Sequence, residues 1–277
     1  MVFTGIQLIQ EMETFAPNQY AEEWDNVGFL IGDPEKTIQK ILVALDVTPE
    51  VVQEAIQYQV DIIITHHPFL FKPISSIRED DAQGKQILAL IRNQIGVYAA
   101  HTNLDITFGG TNDVLASKLS LSPTEVLSPM VIGDIKDPNK LIGMGRIAEL
   151  CSPVSVRSYA EHVRQCLGLK HIRVVGDLEQ SVCKIALCTG SGMGYLRDAY
   201  RQGVDLFITG DVKYHEAQQA LDWGLAVIDA GHYGTEILIV PVLAELIRKW
   251  TQNQVEVIES KTHGDPFQIL EGGNKNE

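Results

Sequence analysis

EAIQYQVDIIITHH (residues 54–67) decides the fold, because DAYRQGVDLFITGD (198–211) matches it position for position at a constant spacing. Each copy runs from a helical pattern into a short apolar strand that ends on Ile-Thr. Around the first copy lie two further β-branched runs, IQKILVAL (38–45) and IGVYAA (95–100), with amphipathic helical stretches between them. This is the strand–helix–strand rhythm of a largely parallel sheet covered on both faces. The second half repeats it with KIALCT (184–189), VDLFIT (204–209) and GLAVIDA (224–230). The simplest account is an α/β protein of two similar βαβ-type lobes related by internal duplication.

The next strand also has a counterpart: VYAAHTNLD (97–105) resembles VIDAGHYGTE (227–236), each leaving a strand into His, three residues and a carboxylate. LSPMVIGDIKDPNKLIG (127–143) is rich in Pro, Gly and Asp and reads as a connection. We therefore expect a first lobe over 1–126 and a second over 127–270, whose C-terminal helix and strand pack back on the first. After Gly234, TEILIVPVLAELIRKW has helical spacing, with a kink expected at Pro241. The last residues, 271–277, read as a flexible tail.

Composition narrows the function. The 277 residues are 45% hydrophobic and 21% charged, enough for two packed cores and not a disulfide scaffold. The formal net charge is −14, from 36 acidic against 22 basic residues, with no basic stripe, so nucleic-acid binding is not expected. A nucleotide partner would need metal ions or local backbone N–H groups to offset its phosphates. Cys151, Cys166, Cys183 and Cys188 form no CxxC pair and read as reduced core residues. The start MVFTGIQLIQEMETF lacks a signal-peptide pattern and no run of 18 apolar residues occurs, which predicts a cytoplasmic protein without a membrane span.

Thr65-His66-His67-Pro68 is the sharpest chemical feature, since adjacent histidines follow directly on a buried strand whose end faces the cleft above the sheet. Such a pair serves one metal where the strand breaks, or two neighbouring metals, or is satisfied by backbone hydrogen bonds. Asp105 and Glu236 follow strands four residues after His101 and His232. If the repeats face each other, His66, His67 and Asp105 meet His232 and Glu236 across one cleft, a donor set suited to Zn, Mn or Fe. Paired carboxylates suit two ions roughly 3.5–4 Å apart, with Glu236 the candidate bridge. His101 is a candidate ligand, ligand-orienting partner or proton shuttle. The turns Phe108-Gly109-Gly110-Thr111 and Thr189-Gly190-Ser191-Gly192-Met193-Gly194 are candidate phosphate cradles that match no phosphate-loop fingerprint. Asp211, in the place His67 fills in the first copy, is a candidate to orient a ligand. His162, His171, His215 and His263 lie singly and read as surface or capping residues.

Trp24-Asp25-Asn26-Val27-Gly28, Thr65-His66-His67-Pro68, His101-Thr102-Asn103-Leu104-Asp105, Thr209-Gly210-Asp211, Gly231-His232-Tyr233-Gly234-Thr235-Glu236 and Asp265-Pro266-Phe267 together resemble one family. It is that of the GTP cyclohydrolase 1 type 2 homologs, also called NIF-three-like or YbgI-like proteins, and the likeness spans nearly the whole chain. The resemblance implies two divalent ions on His66, His67, Asp105, His232 and Glu236. It also implies the compact form without the inserted domain, and a ring-shaped homohexamer.

Two readings of function follow. In the first, the ions lower the pKa of bound water from roughly 15.7 toward about 7 and the hydroxide attacks an electrophilic carbon or phosphorus. The family name then points to the guanine ring of GTP, or to another nucleotide or phosphorylated small molecule. In the second, the site handles metal or senses a ligand without turnover.

Overall fold

The computed structural model of the protein describes residues 3–130 and 142–270. The expected tail (271–277) and most of the expected connection (131–141) lie outside the described residues. In chain order the first half forms α1 (Gly5–Phe15), β1 (Gly28–Ile31), β2 (Lys40–Ala44), α2 (Pro49–Tyr58), β3 (Ile62–Thr65), α3 (Ala82–Arg92), β4 (Gly96–Ala99), α4 (Thr102–Ile106) and α5 (Thr111–Lys118). There follow β5 (Glu125–Pro129), β6 (Gly143–Ser155), α6 (Val156–Cys166), β7 (Arg173–Val175), β8 (Ser181–Leu187), α7 (Leu196–Arg201), β9 (Leu206–Thr209), α8 (Tyr214–Asp222), β10 (Ala226–Asp229), α9 (His232–Glu236), α10 (Ile239–Trp250) and β11 (Glu256–Glu259).

Two sheets result, in the order β1-β4-β3-β2-β11 and β5-β6-β8-β9-β10-β7. The duplication is visible in their centres. β2, β3 and β4 run parallel, as do β8, β9 and β10, with a helix in each crossover. In each sheet an antiparallel strand, β1 or β7, flanks the third parallel one. The other edges differ. β11 joins β2 in parallel, whereas β6 pairs antiparallel with both β8 and β5. The second sheet is thus mixed where a largely parallel one was expected, and residues 127–129 and 143, assigned to a connection, are strand ends. Gly143, the last residue of that stretch, instead opens β6: at φ 143° it packs where a Cβ would meet the Ser128 carbonyl and Val126.

The unbroken apolar runs follow from burial on two faces. Ile62 and Ile64 of β3 pack with Leu8 and Met12 of α1 and Leu243 and Ile247 of α10. Ile63, pointing the other way, packs with Val51, Val52 and Ala55 of α2 and Leu90 of α3. In β9, Leu206 and Ile208 meet Tyr159 and Val163 of α6, while Phe207 meets Leu196 and Ala199 of α7. Each such side chain contributes about 1.5–3 kcal/mol. Local signals set the helix starts: the Thr4 and Gln7 side chains form a capping box on α1, and Thr48 caps α2 ahead of Pro49.

Two expectations are corrected. The helix after Gly234 is not continuous and kinked. It breaks into α9 and α10, and Pro241 sits in the first turn of α10, where its missing N–H costs no bond. The four cysteines are free thiols, but only Cys188 is buried; Cys151 is exposed, in the stretch of β6 where pairing with β8 loses register. No helix among the described residues is long and apolar enough to cross a membrane.

Arg146 of β6 ties the second sheet to α4 and α5. Its guanidinium, wholly buried, donates to both Asp113 carboxylate oxygens at 2.8 and 2.7 Å and to the Gly143, Gly145 and Thr107 carbonyls.

Candidate metal centre

The C-terminal ends of the parallel strands supply the site, as expected for open α/β sheets. Asp46 follows β2, His66 and His67 follow β3, His101 follows β4, Asp211 follows β9 and His232 follows β10. The five residues expected to meet do so in two trios. In one, His66 Nε2 lies 3.5 Å from Asp105 Oδ1 and 3.7 Å from Glu236 Oε1. In the other, His67 Nε2 and His232 Nε2 lie 2.9 and 3.0 Å from Glu236 Oε2 and 3.3 Å from each other. Glu236 belongs to both. The donor atoms of each trio lie within 4.8 Å of one another, close enough to hold a metal ion.

Every imidazole is oriented from behind. His67 Nδ1 is bonded to Asp46 at 2.7 Å, His232 Nδ1 to Asp211 at 2.8 Å, and His66 Nδ1 to the Ala100 carbonyl at 2.9 Å. These bonds place the proton on Nδ1 and leave Nε2 free as a donor to a metal. Asp211 thus meets His232, and Asp46, just past a strand end, meets His67 in the same way. Asp105 is steadied by the Thr111 hydroxyl, and its carbonyl accepts from Asn112 at 2.9 Å.

A cation fits the arrangement. Nε2 of His66 is buried with no hydrogen-bond partner, and the buried Oε2 of Glu236 faces two imidazole nitrogens, an arrangement that a shared ion would satisfy. Two imidazole nitrogens only 3.3 Å apart likewise converge on common space. Imidazoles and carboxylates shift one another's protonation. Burial opposes protonation of His67 and His232, but Glu236 with Asp46 or Asp211 overcomes it and raises them to about 10 and about 9. His66 is raised against burial by Asp105 and Glu236. Burial disfavours the Glu236 carboxylate, but the charge of His66 and the contacts of His232 and His67 hold it well below the usual range. Burial, then the charges of Asp105 and Glu236, push the Cys188 thiol up, so it offers no thiolate ligand.

His101 departs from the symmetric expectation. As the residue preceding α4 it turns away from Asp105, and its Nδ1 meets Asp25 at 2.9 Å, while its ring lies beside those of His66 and His67. With these two it forms a third trio of donors. Asp25 is locked by the Thr102 N–H and hydroxyl. Burial works against its carboxylate, but His101 and Thr102 lower it to about 2. Asp25 stands in the stretch Trp24-Asp25-Asn26-Val27-Gly28, and only the fold joins it to His101, across 76 residues.

Three N–H groups of the glycine turns have partners inside the protein. Gly190 N–H donates to Thr235, Gly192 N–H to Thr209 and Gly109 N–H to Asp113, so these donors are already used. Gly190, at φ 62°, instead makes room for the ligand side chain: a Cβ there would lie 2.1 Å from Glu236 Oε1. Of the single histidines, His162 bonds the Leu119 carbonyl, His215 bonds Gln218 and His263 stacks on Tyr233. His171, expected at the surface, lines a cleft of about 980 Å³ that opens beside His67 and His232 and is bordered by Asp265-Pro266-Phe267.

Known proteins share this two-lobed α/β architecture. A Clostridium perfringens protein named GTP cyclohydrolase 1 type 2 homolog is 38% identical, covering 95% of this chain and 98% of its own. A relative of the same name from Streptococcus pneumoniae is 35% identical, covering 94% and 97%. A further one, from Halalkalibacterium halodurans, is 30% identical over an alignment of 370 positions, longer than this chain, so it carries sequence with no counterpart here. The crystal structure of a Bacillus cereus protein related to NIF3 superposes with a TM-score of 0.90 at 30% identity, covering 98% of this chain and 100% of that one. Matching its sequence pattern over residues 4–266, the chain belongs to the Duf34/NIF3 (NGG1p interacting factor 3) family.

Proposed function

We propose that the protein is a dinuclear metal-dependent hydrolase acting on the ring of a nucleotide, as the shared name of its relatives suggests. The observation that carries this reading is Glu236, buried and facing two imidazoles through one oxygen and a third through the other. One divalent ion would be held by His66, Asp105 and Glu236, a second by His67, His232 and Glu236, with Glu236 bridging. Nitrogen and carboxylate donors without thiolate suit Zn, Fe or Mn. When bound, such a pair supplies Lewis acidity and lowers the pKa of water toward about 7.

The chain's own groups do the rest. Asp46, Asp211 and the Ala100 carbonyl hold Nδ1 of their histidines and so fix the direction of each Nε2. Asp25 does the same for His101, whose Nε2 faces the site without being needed by either trio. That nitrogen would accept a proton from an attacking water and return it to a leaving nitrogen. The test is incubation of metal-loaded protein with GTP and measurement of formate. The reading expects formate in step with GTP consumption, and none from Glu236→Ala. Intact GTP with both ions bound would transfer the site to metal handling.

A further inference from the structure

Beside the metal-facing histidines stands a wall of aromatic rings that the hydrolase reading does not use. Trp24 is 59% exposed and Phe71 44%. Their rings meet edge-on at 5.8 Å and 69°, and each meets the His101 ring edge-on, at 6.1 Å and 6.3 Å. The three rings meet edge to face, and Trp24 is left more than half exposed next to His101. The wall is fixed on both sides. Asp25, next to Trp24, is bonded to His101 and Thr102, and the Asn26 side chain donates to the Leu70 carbonyl, next to Phe71. Exposing two adjacent aromatic rings is unfavourable unless something covers them.

Charge says what does. Carboxylates stand behind three of the four imidazoles, and Gly109, Gly190 and Gly192 donate their N–H groups within the protein. The two rings themselves carry no charge and offer an apolar surface suited to a planar ring, not to a phosphate. We propose that Trp24 and Phe71 bind the substrate through its ring: an uncharged planar heterocycle, such as a purine base, stacks on Trp24 and is thereby presented to His101 and the metal-facing side of the site. The inference rests on the hydrolase reading for its placement, but its test does not need turnover.

Metal-loaded full-length protein is titrated with guanosine, which carries no phosphate, and separately with inorganic tripolyphosphate. Metal content and solution mass are measured on the same samples. Guanosine should bind and quench Trp24 emission. Trp24→Ala should weaken that binding at least tenfold with metal content unchanged, and Trp24→Phe should stay within about threefold of the parent. Tripolyphosphate binding should not respond to either substitution. Parent-like guanosine affinity in Trp24→Ala overturns the proposal whatever the formate assay gives. So does absence of guanosine binding to the parent. A smaller assembly for Trp24→Ala with guanosine affinity intact would assign the rings to a contact between copies and equally overturns it.

Discussion

Arg146→Met isolates the link that holds the second sheet against the helices carrying Asp105. Met fills much of the volume but removes five hydrogen bonds from a group with no solvent exposure. Asp113 keeps the Gly109 N–H at 2.7 Å and is 16% exposed, so water partly compensates it. The Gly143, Gly145 and Thr107 carbonyls lose a donor in the interior. Breaking a buried pair on one side costs about 3–5 kcal/mol, and the partial exposure of Asp113 places this case near about 3. For a chain of this size that is roughly 6–12 °C in melting temperature, read by circular dichroism on protein of equal metal content. The double variant Arg146→Met/Asp113→Leu should cost less than the two single changes added, because no charge is then stranded. A shift under about 2 °C, or strict additivity, would refute the reasoning.

Three further outcomes are expected. With His67 and His232 raised to about 10 and about 9 from 6.5, the metal-free folded state binds extra protons across that window. The stability they confer is complete below pH 6.5 and lost on rising toward pH 10, so the melting temperature of chelated protein should fall from pH 6.5 to 9.5; a flat profile contradicts this. Asp46→Ala and Asp211→Ala should each weaken metal affinity about 10–100-fold in a competitive chelator titration, since each removes the group orienting one imidazole, and a change under threefold would count against that role. Gly190→Ala puts a methyl group 2.1 Å from Glu236 Oε1 in a backbone conformation that L residues avoid. Its metal affinity should drop at least tenfold in the same titration, and parent-like affinity would show that Glu236 does not need that space.

The repeats were legible because burial on both faces leaves no polar alternation in β3 and β9, and a parallel strand so buried reads as an unbroken run. The five clustered residues were legible because strand ends concentrate them. Position alone also marked Asp46, one residue beyond the run 38–45. Asp25 was not legible: its partner lies on another strand end and no local pattern joins them. The antiparallel β5 and β6 were hidden by Gly and Pro, which signal turns in a window but here serve close approach and strand ends. The glycine turns hide their neighbours for the same reason: composition shows that something comes near, and only the fold shows that at Gly190 it is Glu236 and at Gly110 the Leu104 carbonyl.

The most direct test of the metal centre is elemental analysis of the purified protein beside Glu236→Ala, both folded by circular dichroism. The two trios predict two divalent ions per chain in the parent and loss of both in the variant, because Glu236 is common to them. Equal metal content in the two proteins, or none in the parent after incubation with Zn, Fe or Mn, would contradict the account.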